Sequence, residues 1–247
     1  MRPDYGIDAA PVVRNLGVIG GLCLILAIVS YTIAGDTFLR YWKYSFLSTG
    51  VSLIIAAVLM VLYAKYGKFR HRDRMLNMID WRGDEMVLDV GTGRGLLMIG
   101  AAKRLQSGRA TGIDIWNKED LSGNNVENAM RNAELEGVAS QVEIKEEDAR
   151  KMSFPDASFD VVLSNLCIHN IPDAGGRRAA CAEIARVLKP AGIALISDFK
   201  NTAQYRREFE SLGLNSQLGP RHFFDTFPPL SILMVRKGRS KTQSRET

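Results

Sequence analysis

Three glycines and one carboxylate near the middle of the chain have the types and spacing needed to hold a nucleotide-like ligand. In the stretch MVLDVGTGRGLLMIG, a short apolar run passes through Gly91, Gly93 and Gly95 into a helical pattern. Dinucleotide-binding turns have the spacing G-x-G-x-x-G, whereas position 96 here is Leu96. The charge of Asp89 would repel a pyrophosphate but attract a ligand with ammonium and sulfonium groups. The loop therefore favours S-adenosylmethionine over a dinucleotide.

The segment VLDVGTGRG is similar to the first motif of class I S-adenosylmethionine-dependent methyltransferases, and the resemblance covers about residues 68–237. It implies that Asp114 binds the ribose hydroxyls and that Asp148 receives the adenine amino group. Trp116 either packs on the adenine ring or belongs to loop packing. The expected cofactor-binding residues are Asp89, Gly91, Thr92, Gly93, Gly95, Asp114, Ile115, Trp116, Asp148, Ala149, Asn165 and Leu166.

Methyl transfer from an activated carbon requires mainly proximity and alignment, and a base only where the acceptor must lose a proton. His169, Asp198 and His222 are the titratable candidates near the expected cleft, and His169 is the predicted catalytic residue. The alternative for both histidines is a role in loop or core packing. The three histidines of the chain are scattered, and Cys167 and Cys181 lack CxxC spacing, so no metal site is predicted.

Strand and helix patterns alternate from about residue 82, which predicts a parallel sheet covered on both faces. The predicted strands read EMVLDV, RATGID, QVEIKEED, SFDVVLSN and IALISDF, and the helix GGRRAACAEIARVLKPAG is expected to end at Lys189 and Pro190. LNSQLG and LSILMVRK, joined by PRHFFDTFPP, could form a final antiparallel pair. With the family resemblance, the pattern predicts an α/β, Rossmann-like, seven-stranded class I methyltransferase sheet with an antiparallel last strand.

Two apolar runs precede this sheet, at residues 15–35 and 44–64, and neither contains a charged residue. As helices, each would be roughly 31 Å long, which is close to the thickness of the hydrocarbon layer. Their Leu, Ile, Val and Phe content favours insertion by roughly 3 to 6 kcal/mol per run. We therefore expect a transmembrane hairpin. The alternatives are a hairpin buried in a soluble core and, for the first run, a cleaved signal peptide.

Lysines and arginines predict the orientation of this hairpin. Seven flank its outer ends, in the N-terminal tail and in KYGKFRHRDR, against two in the connection between the runs. The positive-inside rule then places both termini and the large domain in the cytoplasm. The predicted organisation is a cytoplasmic tail at 1–14, the hairpin at 15–65, a basic juxtamembrane linker or helix at 66–81, the methyltransferase domain at 82–237 and a basic disordered tail at 238–247.

The net charge of +5 comes largely from the segment after the second run and from the C-terminal tail. A basic cluster next to a span indicates contact with anionic headgroups rather than nucleic acid. Gly17 and Gly21 form a G-x-x-x-G that could pack the spans together or make a homo-oligomer. The polar loop at 116–125 contains Asn124 and Asn125, either of which could cap the next helix or contact cofactor or substrate.

Attachment to a membrane brings lipid-dissolved acceptors to a high effective concentration at the domain. The sequence therefore predicts an integral membrane methyltransferase whose acceptor is a lipophilic small molecule of quinone, lipid or isoprenoid type. Two alternatives remain open. The hairpin could only localise an enzyme that modifies a soluble metabolite or a membrane protein, or the domain could bind S-adenosylmethionine without catalysis.

Overall fold

Two long apolar helices precede an α/β domain in the computed structural model, which describes residues 2–33 and 37–238. Helix α1 spans Ala10–Ile33 and helix α2 spans Thr37–Leu62. Only 11% of the most apolar stretch of either helix is buried, and Ile28 and Ile55 are more than half exposed. A core helix of a soluble protein would be mostly buried. Both helices are thus candidate membrane spans by length and composition, and the end of the first predicted run lies outside the described residues.

Glycines bring α1 and α2 close together, but they are not the glycines of the G-x-x-x-G motif. A Cβ added to Gly20 would lie 3.0 Å from Ile54, and one added to Gly50 would lie 2.9 Å from Leu24. Gly17 and Gly21 have no neighbour within 4 Å of such a Cβ. The hairpin therefore packs through Gly20 and Gly50, because small residues allow two helix backbones to approach. The prediction that Gly17 and Gly21 pack the two spans together is wrong. The prediction that they form a homo-oligomer interface stays a prediction.

The second apolar helix continues into the α/β domain without a break. One π-helical turn, Tyr63–Gly67, joins α2 to helix α3, which spans Lys68–Leu76. Met75 and Leu76 are fully buried in the domain core. The predicted basic linker is therefore part of the folded domain.

Several of its basic side chains point into the protein. Lys68 is 3% exposed, and its Nζ donates to the carbonyls of Tyr5 and Gly6 at 2.7 and 2.6 Å. Arg74 pairs with Asp225. These contacts withdraw Lys68 from the headgroup layer, whereas Lys65 and Arg70 are exposed and can still reach it.

After α3, the described part of the chain forms seven strands and four further α-helices, with no α-helix between β3 and β4 or between β6 and β7. The strands are β1 Met86–Val90, β2 Arg109–Asp114, β3 Val142–Glu146, β4 Phe159–Asn165, β5 Leu188–Asp198, β6 Asn215–His222 and β7 Leu230–Arg236. The helices are α4 Leu96–Ala102, α5 Val126–Leu135, α6 Ala174–Val187 and α7 Thr202–Ser211. The strand order is β3-β2-β1-β4-β5-β7-β6, and β7 pairs antiparallel with both of its neighbours. The predicted seven-stranded class I sheet with an antiparallel last strand is confirmed.

The boundary between α6 and β5 lies earlier than the sequence pattern predicted. The helix ends at Val187, and Leu188 already pairs with Phe159 of β4. Proline disfavours the helical conformation of the residue before it, so Lys189 and Pro190 belong to the strand and not to the helix end.

The first residues of the chain are packed on the domain rather than forming a separate tail. Tyr5 is 4% exposed, and its hydroxyl donates to Glu136 at 3.0 Å. Asp8 forms an isolated bridge with Leu121, and Ile7 exchanges hydrogen bonds with Ser122. This N-terminal segment therefore lies over the loop that follows β2.

Candidate active site

The glycine loop between β1 and α4 makes a tight turn that only glycine adopts without strain. Gly91, Gly93 and Gly95 have φ values of +74°, +54° and +86°, in the left-handed region. A Cβ added to Gly91 would overlap the Cys167 side chain. Gly95 is the N-cap residue of α4. The loop is thus held against the segment that follows β4. Its backbone borders the cavity described below.

Asp89 stabilises this loop through hydrogen bonds. It is 2% exposed, and its Oδ2 accepts hydrogen bonds from Thr92 Oγ1 at 2.8 Å and from the Met98 N–H at 2.9 Å. Burial raises the pKa of Asp89 to about 7. Because these two donors occupy the oxygen, Asp89 supports the loop and the start of α4. The sequence expectation that Asp89 attracts a cationic ligand stays a prediction.

Asp114, at the end of β2, binds the opposite side of the loop. Its Oδ2 accepts from the Gly93 N–H at 2.8 Å, and its Oδ1 accepts from the Trp116 N–H at 2.8 Å and from Asn124 Nδ2 at 3.3 Å. A carboxylate has about four lone-pair sites, so it can accept further hydrogen bonds from a ligand. Asp114 therefore joins the loop, the strand end and the next connection at one point.

The two residues after Asp114 differ in what they face. Ile115 is 61% exposed and lines the cavity described below. Trp116 has φ +59°, and its indole Nε1 is buried without a hydrogen-bond partner among the described residues. Trp116 is not among the lining residues, which favours the loop-packing interpretation.

The polar loop at 116–125 divides its two asparagines between two tasks. The Asn125 side chain accepts from the Asn128 N–H at 2.8 Å and is the N-cap of α5. Asn124 is 3% exposed and donates to Asp114 and to the Asn117 carbonyl. The loop thus caps a helix and also braces the expected ribose-binding carboxylate.

The segments after β3 and β4 supply the remaining expected residues. Asp148 pairs with Arg150 at 2.6 Å, and the hydrogen bonds from this guanidinium hold the pKa of Asp148 below its ordinary value. Ala149, beside it, is 9% exposed. Asn165 ends β4 with a buried Oδ1 that has no protein partner among the described residues. Leu166 has φ +54°, a strained conformation that is enriched at functional sites.

His169 is oriented by a buried carboxylate. Its Nδ1 lies 2.9 Å from Asp198 Oδ1 at the end of β5, at the distance of an ion pair but without the alignment of a hydrogen bond. Asp198 is 1% exposed. Asp198 also accepts from the N–H groups of His169 and Phe199 and from the Tyr205 hydroxyl. With Nδ1 turned to Asp198, the other ring nitrogen, Nε2, is the one that can take a proton. This arrangement suits a general base.

The other two histidines do not line the site. His71 Nε2 lies 2.6 Å from Ser197 Oγ, and its ring contacts that of His222 with centroids 5.8 Å apart. They tie α3 to β5 and β6, away from the cavity. Among the described residues, no group of three or more His, Cys, Asp or Glu side chains is arranged to hold a metal ion.

One cavity of about 760 Å³ lies at the carboxyl ends of the parallel strands and collects the expected residues. Sites of this kind typically occupy about 300–1,000 Å³. Every expected site residue lines it except Gly95 and Trp116. We call one side of it the sheet wall, which consists of Gly91, Asp114, Asp148, Asn165, His169 and Phe199.

A second part of the lining consists of residues that sequence reasoning missed. This helical wall comprises Asp8, Pro11, Val12, Met60 and Tyr63, from the N-terminal segment, the start of α1 and the end of α2. The sequence pointed to this wall only through a tyrosine near the end of an apolar run. Tyrosines are common at such positions because they lie at the membrane interface, so this one did not indicate a site. The apolar helix pair therefore contributes directly to the cavity.

The polar groups of the cavity fit S-adenosylmethionine better than a phosphate-bearing cofactor. The lining carboxylates are Asp8, Asp89, Asp114, Glu119, Asp120, Glu147 and Asp148. Of the lining cations, Arg94 pairs with Asp4, Arg150 with Asp148, and Lys68 with backbone carbonyls. Lys200 is exposed and lies over the Phe199 ring at 5.2 Å, so seven carboxylates face four cations. Acidic surroundings favour a sulfonium and an ammonium and repel a pyrophosphate. The unpartnered Oδ1 atoms of Asn124 and Asn165 can accept hydrogen bonds from such a ligand.

Comparison with known protein families agrees with this geometry. Residues 87–192 match a family described as a methyltransferase domain. This segment contains the glycine loop, Asp114, Asp148 and His169.

Two curated relatives show how far the similarity extends. The chain is 35% identical over 130 residues to 27-O-demethylrifamycin SV methyltransferase of Amycolatopsis mediterranei. The matched segment covers 53% of this chain and 44% of the relative. It is 29% identical over 182 residues to demethylmenaquinone methyltransferase of Lactobacillus johnsonii, which covers 66% and 67%. The chain thus spans about half the length of the first curated relatives that it matches.

Solved structures share the fold at low sequence identity. An S-adenosylmethionine-dependent methyltransferase from Aquifex aeolicus superimposes with a TM-score of 0.52 at 19% identity, covering 67% of this chain and 88% of that one. The similarity at this identity concerns the fold.

Proposed function

We propose that this chain, which carries a class I S-adenosylmethionine-dependent methyltransferase domain, methylates a lipophilic small molecule of quinone, lipid or isoprenoid type at the cytoplasmic face of a membrane. The observation that carries the proposal is the composition of the cavity. One wall is built from the strand ends of the methyltransferase sheet, and the other from the ends of the two apolar helices.

The cofactor of this domain is S-adenosylmethionine, which supplies a methyl group activated by a sulfonium charge. The residues that would hold it are those of the sheet wall and the glycine loop. Asp114 would accept the ribose hydroxyls, Asp148 and Ala149 would hold the adenine edge, and Asn165 with Leu166 would lie beside the methionine part. Buried and partly buried acceptors of this kind give orientation as well as affinity.

His169 acts on the acceptor. Its Nδ1 lies 2.9 Å from Asp198, so Nε2 would take the proton of an acceptor hydroxyl. The cofactor would supply the methyl group to the acceptor oxygen, and its sulfur–methyl bond would break to leave a neutral thioether. Asp198 keeps the imidazole in one orientation and stabilises the imidazolium that results. Tyr205 and the two N–H donors fix Asp198 in turn, so the base is positioned before the acceptor binds.

The apolar helices support a lipid-dissolved acceptor. Their outward faces consist of exposed Leu, Ile and Val side chains, and a surface of this kind is stable only when it is covered. The demethylmenaquinone methyltransferase relative carries the name of a quinone substrate, which is consistent with this substrate class. The basic residues at both outer ends of the helices support a cytoplasmic domain with two cytoplasmic termini.

Transfer of labelled methyl groups tests the proposal. Membranes that contain the full chain are incubated with S-adenosylmethionine labelled in its methyl group, and the membranes are then extracted with organic solvent. We expect organic-soluble label with the wild type and with Asp84→Ala, an exposed acid at the opposite edge of the sheet, but not with Asp114→Ala. In parallel, alkaline carbonate washing should leave the chain in the membrane pellet.

The distribution of the label separates the alternatives. Label confined to protein would indicate a membrane-protein substrate, and label confined to the aqueous phase would indicate a soluble metabolite. Cofactor binding without any transfer would indicate a non-catalytic module. Release of the chain into the carbonate supernatant would refute the membrane spans.

A further inference from the structure

Tyr63 is a buried polar residue of the cavity that neither the cofactor nor the proposed base uses. It is the first residue of the π-helical turn after α2, and it is 5% exposed. Its hydroxyl makes no hydrogen bond of good geometry with the described residues, and the Asn165 side chain is a polar neighbour of it. Burial of a hydroxyl that lacks a well-aligned partner is unfavourable. Because Tyr63 lines the cavity, a ligand there can supply that partner.

The π-helical turn places Tyr63 in the cavity wall. Gly67, at the end of this turn, lies so close to the Asp225 carbonyl that an added Cβ would overlap it. The helix is thus pressed against the connection between β6 and β7. Single π-helical turns often occur at functional sites because they change which side chains a helix presents.

Asp8 adds a second polar group to the same wall. Its Oδ2 is buried and accepts no hydrogen bond from the described residues. Lys68 Nζ lies 3.5 Å away, but it donates to the carbonyls of Tyr5 and Gly6. Asp8 itself is fixed by its bridge to Leu121. The ion pair with Lys68 leaves Asp8 Oδ2 able to accept a hydrogen bond from a ligand.

These groups lie beside the reacting end of the site. Tyr63, Asp8, Asn165 and His169 line the same cavity. Asn165 is expected beside the methionine part of the cofactor, and Asp198 orients His169. A head group bound by Tyr63 and Asp8 is thus near both the methyl donor and the base, as near-attack geometry requires.

Apolar residues continue the cavity from these groups toward the apolar helices. Met60 lies one helical turn before Tyr63, and Pro11 and Val12 lie at the start of α1. Val12 is 48% exposed. The helical wall therefore has a polar end at Tyr63 and Asp8 and an apolar end at Val12 and Met60.

We propose that the helical wall is the acceptor-recognition site, in which Tyr63 and Asp8 bind the hydroxyl head of an amphiphile whose apolar chain lies against Met60 and Val12. This inference rests on the proposed function and specifies the acceptor of that same site. The head group is a hydrogen-bond donor because Asp8 accepts only. A phosphate head is disfavoured, since it would face Asp8 and the other lining carboxylates.

Photolabelling of the full chain tests this site. The chain is reconstituted in phosphatidylcholine vesicles with a long-chain alkylphenol that carries a diazirine in its chain, and labelled peptides are mapped by mass spectrometry. The matched probe is the methyl ether of the same phenol, which cannot donate a hydrogen bond. We expect the phenol to label the peptides that contain Val12 and Met60, and the ether to label them several-fold less.

Variants identify the residue responsible. Tyr63→Phe should weaken phenol labelling roughly 3- to 10-fold, as expected for one hydrogen bond, and Asp8→Asn should weaken it by a similar factor. Tyr66→Phe is the matched control, because Tyr66 belongs to the same π-helical turn but is 66% exposed and lies outside the cavity. Calorimetry with S-adenosylmethionine should give equal affinities for all of these variants, which shows that they fold.

Equal phenol labelling of Tyr63→Phe and Tyr66→Phe would overturn the proposal. Labels confined to the outward faces of α1 and α2 would overturn it as well. Cavity labelling without organic-soluble methyl product would refute the proposed function and leave the recognition site standing. Methyl product combined with labelling that is insensitive to Tyr63→Phe would refute the recognition site alone.

Discussion

The carboxylates on the two walls of the cavity differ in their hydrogen-bond partners. On the sheet wall, Asp114 accepts hydrogen bonds from three protein donors, and Asp89 below the loop accepts from two. On the helical wall, Asp8 Oδ2 has only an ion pair with Lys68 at 3.5 Å, and neither this oxygen nor the Tyr63 hydroxyl makes a hydrogen bond of good geometry with the described residues. The carboxylates beside the sheet wall are thus preorganised by protein donors, whereas Asp8 and Tyr63 on the helical wall keep hydrogen-bonding capacity for a ligand.

This difference separates two tasks of the site. A wall with internally bonded carboxylates keeps its geometry whether or not a ligand is bound, which suits a cofactor that many reactions share. A wall with unbonded polar groups discriminates strongly among ligands, because a ligand without the matching donor leaves those groups unpaired. Substrate choice should therefore depend on the helical wall, and cofactor affinity on the sheet wall.

The largest effect is expected from the base. His169→Ala should lower the rate of organic-soluble methyl product roughly 10²- to 10⁴-fold, because proton transfer by a positioned side chain contributes that much. His222→Ala is the matched histidine control and should leave the rate close to that of the wild type, since His222 does not line the cavity. Equal rates for His169→Ala and the wild type would contradict the assignment of His169 as the general base.

The next effect is on cofactor affinity. Asp114→Ala should weaken S-adenosylmethionine binding roughly 100-fold, since the variant loses the expected ribose contacts and the bonds that hold Gly93 and Trp116. Isothermal calorimetry on the full chain measures this, with Asp84→Ala as the control. If Asp8→Asn weakened cofactor binding as much as Asp114→Ala did, the division between the two walls would fail.

A pair of glycines tests how tightly the loop is packed. Gly91 and Gly137 have nearly the same φ, +74° and +73°, but an added Cβ overlaps Cys167 at Gly91 and meets nothing within 4 Å at Gly137. Alanine at either position costs about 1–2 kcal/mol in backbone strain. Gly91→Ala should cost about 2 kcal/mol more through overpacking. Thermal unfolding compares the two variants, and equal losses would show that the loop can relax.

The smallest effect concerns the pH dependence of stability. Burial raises the pKa of Asp89 from 3.8 to about 7. Between these values the folded chain keeps a proton that the unfolded chain releases, so stability falls as the pH rises from about 4 to about 7 and then levels off. Asp89→Asn has no charge to bury, so its melting temperature relative to the wild type should be higher at pH 8 than at pH 5. The same difference at both pH values would contradict the buried position of this carboxylate.

Much of the sheet wall could be predicted because each part of it is encoded locally. The glycine loop follows a strand and precedes a helix, and Asp114 and Asn165 end the next strands that lie beside it. Parallel strands bring such positions to one edge of the sheet, so the strand pattern alone indicates that they meet. Trp116 was less certain because its side-chain direction depends on a loop with positive φ.

The helical wall could not be predicted because it depends on contacts between distant parts of the chain. Lys68 belonged to a basic cluster that indicated lipid headgroups, yet carbonyls more than 60 residues earlier bind its ammonium. Tyr63 faces the cavity because of a π-helical turn, which has no local sequence signal. Likewise, Gly20 and Gly50 meet only because of the angle between the two helices, whereas Gly17 and Gly21 had the familiar spacing.

The uninterrupted passage from α2 through the π-helical turn into α3 also determines how the protein can be divided. A fragment beginning at residue 66 would cut this helix, discard the partners of Lys68 and remove the buried Tyr5 and Tyr63. From Thr37 to Leu76 the helical path is about 60 Å long, roughly twice the hydrocarbon thickness. The helix pair and the sheet are therefore joined both by a continuous helix and by buried contacts. Detergent or vesicles, rather than truncation, should be the route to a purified, ligand-competent protein.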